Sequence, residues 1–168
     1  MKVGIFVEEL YQEMEVWYPA YRLREAGLQT VFVGTGKAEY RSKTGYPVKP
    51  EASIEEVQVR DFDGVVVPGG YAPDHLRRFN RVNQFVADMD KANKYVGSIC
   101  HGLWVLVSAG ILKGRTVTCF FAICDDVVNA GAKYVDKEVV VDRNIVTSRV
   151  PDDLPAFMRE SLKVLEAR

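Results

Sequence analysis

Short, wholly apolar runs alternate along this chain with stretches whose apolar residues recur at helical spacing. Val3 to Val7 is the first such run and predicts a buried strand. Met14, Trp17, Tyr18 and Tyr21 then fall at the i, i+3, i+4, i+7 positions of a helix face, and Gly27 predicts that helix's end. Thr30 to Val33 reads as a second strand closed by Gly34-Thr35-Gly36, and the turn-rich stretch from Glu39 to Pro50 as a small surface hairpin. Val65-Val66-Val67 is a short apolar strand ending at Pro68-Gly69-Gly70, followed by a helix face of Val82, Phe85, Val86 and Met89. Tyr95 to Ile99 predicts the next strand and Leu103 to Ala109 the helix after it. Val139 to Val141 and Ile145 to Thr147 flank Asp142-Arg143-Asn144 as a hairpin. Met158, Ser161, Leu162 and Leu165 form a C-terminal helix face, with Pro155 in its first turn and Asp152 or Asp153 as candidate cap.

Strands apolar on both faces and separated by helices predict an α/β fold with a mostly parallel sheet between two helical layers. No internal repeat and no Pro/Gly/Ser-rich linker divides the chain, so residues 1–168 are expected to form one domain. In such folds the working crevice lies at the carboxyl ends of the strands. That narrows the search to Val7 to Glu15, Pro68 to Asp74 and Ile99 to Gly102.

Composition excludes several other readings. The 22 basic and 23 acidic residues leave a net charge of −1, with no positive field to draw nucleic acid or an anionic membrane surface. Apolar runs fall well short of the about 20 residues that a membrane span needs, and the first strand breaks into Glu8-Glu9 instead of continuing as a signal peptide. Cys100, Cys119 and Cys124 are too few for a disulfide framework, and free thiols suit a reducing, cytoplasmic setting. Cys119 and Cys124 lack the spacing and histidine partners of a metal site, so core packing is expected of them.

Cys100 stands apart. Val96-Gly97-Ser98-Ile99-Cys100-His101-Gly102 puts it where a buried strand turns into a helix, with small neighbours that permit a tight elbow. The positive end of the following helix would lower the thiol pKa and populate the nucleophilic thiolate, although a buried cysteine can also serve as a small hydrophobe. Gly69 and Gly70 follow an apolar strand, where their N–H groups could join that of His101 around an oxyanion; a plain tight turn is the alternative. Neighbouring helical residues do not face each other, so the His101 ring reaches the sulfur only if the elbow departs from helical geometry. Glu15, taken alone, is an ordinary first-turn acid.

The Cys100 segment resembles the signature of the PfpI intracellular protease family, within the DJ/ThiJ/PfpI superfamily of class I glutamine-amidotransferase-like folds. The likeness extends through Glu13 to Pro19, Asp61 to Gly70, Leu112 to Thr118, Asn129 to Ala132 and Ser148 to Leu154. It implies a flavodoxin-like three-layer sandwich in which Cys100 is the reactive residue, hydrogen-bonded to Glu15. It also implies that His101 is oriented by a third acid supplied across a subunit boundary. The matching position is Asp74, where the family usually carries glutamate; His75 is expected on a surface helix. A tyrosine common in the family is replaced by Phe120, which with Phe121 would make a drier pocket. The implied activity is that of a hydrolase or peptidase, or glyoxalase- or deglycase-type chemistry on a small-molecule carbonyl. The implied assembly is a dimer or hexamer, with neither organic cofactor nor metal. A non-catalytic stress protein, redox-sensing through Cys100 or chaperone-like, is the competing expectation.

Overall fold

A computed structural model describes residues 1–167. In chain order the elements are β1 (Lys2–Phe6), α1 (Glu13–Glu25), β2 (Gln29–Gly34), β3 (Tyr40–Arg41), β4 (Pro47–Val48), β5 (Ala52–Ser53), β6 (Gly64–Val67), α2 (Ala72–Leu76), α3 (Asn80–Lys91), β7 (Tyr95–Ile99) and α4 (Leu103–Ser108). There follow β8 (Thr116–Val117), α5 (Cys124–Asn129), β9 (Lys133–Tyr134), β10 (Val139–Asp142), β11 (Ile145–Ser148) and α6 (Leu154–Glu166).

Seven strands form the central sheet in the order β10-β11-β7-β6-β1-β2-β5, parallel throughout except for the β10–β11 hairpin. Helices α1 and α6 pack on one face and α3 and α4 on the other, giving the flavodoxin-like layering that the alternating pattern predicts. Val3, Ile5, Val65, Val66, Val67, Val96 and Ile99 are all fully buried, as expected of central strands covered on both sides. The Glu39 to Pro50 hairpin is realised as antiparallel β3–β4. Among the described residues, no helix is long and apolar enough to cross a membrane.

Two local expectations need correction. In α1 the face turned to the sheet is Val16, Pro19, Ala20 and Leu23, together with Glu15, while Met14 and Tyr21 are 62% and 59% exposed. Trp17 packs along the helix flank instead, its ring 5.1 Å from that of Phe32 and 5.8 Å from that of Tyr46. The large residues therefore mark a flank, and small ones allow the helix to lie close to the sheet. At α6, Asp153 occupies the cap position and Pro155 the first turn, but the carboxylate caps no helix N–H. It instead accepts from Arg149, at 2.8 Å from Nε and 3.1 Å from Nη2. A two-pronged charge-assisted pair outcompetes a backbone donor.

Candidate active site

Strands β1, β6 and β7 are neighbours, with Ile5 beside Val66 and Val66 beside Gly97, so their carboxyl ends deliver three loops to one place. The third loop carries Cys100 directly after β7. Its φ of +60° is left-handed, a conformation that costs an ordinary residue about 1–3 kcal/mol and lifts the side chain out of the strand's path. A 3₁₀ turn over Cys100–Gly102 then feeds α4. The turn is closed so tightly that a Cβ on Gly102 would lie 2.3 Å from the Val67 carbonyl oxygen and 2.7 Å from Ser98 Oγ.

This departure from helical geometry brings His101 to the cysteine. His101 Nδ1 lies 3.3 Å from Cys100 Sγ. The imidazole is held between aromatic rings, 4.9 Å from Phe120 and 5.1 Å from Trp104. Burial and the nearby Lys43 charge both hold its pKa below the ordinary histidine range, so it stands neutral and able to accept a proton.

Glu15 arrives from the first turn of α1 and is completely buried. One carboxyl oxygen accepts the Gly69 N–H at 2.6 Å, and the other, Oε1, is buried without a hydrogen-bond partner among the described residues. The Cys100 thiol lies against the carboxyl. Burial pushes Glu15 up to about 8, against the opposing pull of the Gly69 N–H, the Cys100 thiol and the Lys43 charge. At neutral pH it is therefore largely a neutral donor.

The Cys100 thiol is pushed up to about 12, first by burial and then by the Glu15 charge, against hydrogen bonds from the His101 and Gly70 N–H groups. This corrects the expectation of a lowered thiol pKa. A buried sulfur beside a carboxyl outweighs the end of the six-residue helix α4. A proton held on Glu15 removes the repelling charge, so the two groups titrate as a pair.

The expected oxyanion donors divide. Gly70 and His101 direct their N–H groups at Cys100, but the Gly69 N–H is occupied by Glu15 and is not free for a substrate. Gly70 has φ +77°, and a Cβ there would lie 2.5 Å from the Leu10 carbonyl oxygen, so the turn demands glycine. Around these groups lies a cleft of about 400 Å³, walled by Gln12, Tyr71, Phe120 and Pro151, with Lys43 at its mouth. Phe121, expected to line the pocket with Phe120, packs its ring 4.5 Å from that of Phe120 but is 75% exposed and lies outside the cleft lining. Nothing in the sequence pattern marked Lys43. It enters because Ser42 bridges to Tyr11 and the Lys43 N–H donates to the Tyr11 carbonyl at 3.0 Å, folding the β3–β4 connection over the site.

Asp74 is not brought to the site within one chain. On α2 it pairs with Arg78, and among the described residues no hydrogen bond joins it to His101. His75 sits half-exposed on the same helix. Cys119 is fully buried, whereas Cys124 is only half-buried at the start of α5.

The fold defines a flavodoxin-like α/β protein that carries a cysteine in left-handed conformation at a strand-to-helix turn. The chain belongs to the DJ-1/PfpI family, whose model matches residues 1–164. It is 42% identical to "Deglycase PYRAB04690" of Pyrococcus abyssi, covering 99% of this chain and 100% of that protein. It is 41% identical to "Protein/nucleic acid deglycase 2" of Escherichia coli, covering 99% and 98%. Among solved structures it is similar to a two-domain protein of Anabaena variabilis containing dj-1/thij/pfpi-like and ferritin-like domains. That similarity has a TM-score of 0.96 and 37% identity, covering 98% of this chain and 48% of that one.

Proposed function

We propose that the chain is a cysteine-dependent enzyme of the deglycase type, in which Cys100 attacks a reactive carbonyl or its amine adduct. The observation that carries this reading is the convergence on one strained sulfur of His101 Nδ1 at 3.3 Å, the buried Glu15 carboxyl and two backbone donors. As a carbonyl enters, the thiol proton passes to the neutral His101 imidazole and the sulfur bonds to the carbonyl carbon. The carbonyl electron pair moves onto oxygen, where the Gly70 and His101 N–H groups meet the developing charge. Protonated Glu15 faces the sulfur as a donor and steadies it when negative, without adding a second anion. His101 returns its proton to the oxygen, or to the amine that departs from an adduct, leaving a hemithioacetal. On a dicarbonyl substrate His101 then carries the hydrogen of that carbon, as a proton, to the neighbouring carbonyl carbon, and water hydrolyses the resulting thioester to a hydroxy acid and the free Cys100 thiol. The apolar Phe120 wall strengthens these interactions by excluding water.

The family match over residues 1–164 supports one domain across the chain. In this reading the third acid is Asp74 of a neighbouring copy, oriented toward His101 in a homo-oligomer. The test compares wild type with Cys100→Ala on methylglyoxal, a methylglyoxal-treated amine, casein and a fluorogenic peptide. We expect carbonyl turnover to fall roughly a thousandfold or more in the variant, with its circular dichroism and melting temperature kept. Equal turnover by both proteins would remove Cys100 from the chemistry. Cysteine-dependent peptide cleavage without carbonyl turnover would reassign the same nucleophile to peptidase work.

A further inference from the structure

Lys43 follows the buried Ser42 in the β3–β4 connection, and the backbone that carries it is pinned on both sides. Its N–H donates to the Tyr11 carbonyl at 3.0 Å, the Ser42 N–H donates to the Tyr46 carbonyl at 2.9 Å, and the Tyr46 N–H donates to Ser42 Oγ at 2.8 Å. The ammonium stands 5.8 Å from the centroid of the Tyr71 ring, and both side chains line the cleft. Cations nearby in the same region are already paired, Lys37 with Glu9 at 3.0 Å and Arg41 with Glu39 at 2.9 Å. Among the described residues Lys43 has no ion pair. Glu13, at the start of α1, gives its carboxylate to the Ser42 and Thr44 hydroxyls instead and is not part of the lining. Within the lining, the Glu15 carboxyl, the Cys100 thiol and the His101 imidazole hold their neutral forms at neutral pH, so they leave the ammonium unopposed. Gln12, also on the lining, spends its side-chain oxygen on the Met14 N–H at 3.2 Å, which leaves its amide nitrogen as a second donor.

We propose that Lys43 selects an anionic substrate: a reactive carbonyl compound that carries a carboxylate on the carbons beyond the reacting one. Cys100 takes the carbonyl while Lys43, with the Gln12 amide beside it, takes the carboxylate at the cleft mouth. A cavity of about 400 Å³ is far larger than a three-carbon dicarbonyl fills, so the substrate has room to extend from the sulfur toward the lysine. An ammonium without a partner, beside the apolar walls of Phe120 and Pro151, gains a charge-assisted hydrogen bond when a carboxylate arrives, and a neutral substrate leaves that donor unused. A probe with these features is 4,5-dioxopentanoate, a dicarbonyl with a carboxylate at its far end. Its aldehyde carbon would be oxidised to a carboxylate and its ketone carbon reduced to an alcohol by the internal proton shift. With one water added, the product is 2-hydroxyglutarate, and no outside oxidant or reductant is needed. The inference rests on the reading of Cys100 as the nucleophile and adds to it the charge of what that nucleophile receives.

The test compares 4,5-dioxopentanoate with its uncharged methyl ester and reads the ratio of their kcat/KM values in each protein, so that effects common to both substrates cancel. We expect wild type to favour the acid by about tenfold or more, chiefly through KM. Lys43→Met should bring the ratio to about one, Lys43→Glu should take it lower still, and Lys43→Arg should keep the preference. A second arm needs no turnover. Iodoacetate and iodoacetamide alkylate the same sulfur and differ in charge, and cleavage after Lys94 and Lys113 yields fragment 95–113, which holds Cys100 alone among the cysteines. The iodoacetate-to-iodoacetamide rate ratio at Cys100 should fall by about tenfold or more from wild type to Lys43→Glu. If neither dicarbonyl is turned over, the proposed reaction fails, and the alkylation ratio alone decides whether Lys43 recruits an anion. A wild type that treats acid and ester alike, or an alkylation ratio that Lys43→Glu leaves unchanged, would overturn the proposal.

Discussion

A carboxyl buried as completely as Glu15 keeps its proton at pH values where a surface glutamate has lost it, and folding must register the difference. Its pKa is about 8 in the folded chain against an ordinary 4.5. The stabilisation is therefore fully present below about 4.5 and is lost as pH rises through about 8. Glu15→Gln keeps an oxygen for the Gly69 N–H but cannot ionise. Urea unfolding between about pH 5 and about pH 9 should cost the wild type more stability than the variant, by on the order of a few kcal/mol. Parallel losses would mean that Glu15 does not titrate in that window. Cys100 was legible in the sequence because small residues around a strand-to-helix turn advertise an elbow. Glu15 became conspicuous only through family resemblance, since an acid in a first helical turn has a sufficient surface explanation. Lys43 and the engagement of the Gly69 N–H were illegible. Both depend on loops that meet only when β1, β3 and β6 are in place.

At the scale of elements, the elbow is a strand, a turn and a helix pressed together without room for a methyl group at Gly102. The nearest obstacle to a Cβ is the Val67 carbonyl oxygen at 2.3 Å, on the neighbouring strand, and backbone cannot swing aside as a long side chain can. Gly102→Ala should therefore destabilise the fold by about 1–3 kcal/mol, read as a lowered urea midpoint at unchanged slope. An unshifted midpoint would show that β6 and the turn part without cost. Elements of four residues or more were largely readable, because α3 and the central strands bury the positions their periodicity selects. Helix α1 shows the limit: Trp17 and Tyr21 drew the apparent face, while Val16, Ala20 and Leu23 made the real one. The two-residue strands β5, β8 and β9 carry too few positions for any period to show.

For the whole molecule, the proposed assembly turns on the surface acid Asp74. Among the described residues of one chain it is committed only to Arg78, a half-exposed i,i+4 pair of a kind worth about 0–1 kcal/mol. In the proposed assembly so weak a partner would give way to the His101 imidazole of a neighbour, where a carboxylate would fix the ring and favour its protonated form. Sequence comparison locates the position but not the reach, because aspartate is one methylene shorter than the glutamate usual in the family. If the contact forms, turnover per chain should fall as the protein is diluted through the dissociation of its assembly, followed by light scattering on the same samples. At concentrations where the assembly persists, Asp74→Ala should lower turnover by at least about tenfold, since the acid that orients a catalytic histidine can be worth far more. Asp74→Glu should retain or raise it, because the longer side chain closes the remaining distance. Turnover that stays constant per chain while the assembly comes apart, together with an active Asp74→Ala, would leave Asp74 as a surface partner of Arg78 and His101 as a base complete within one chain.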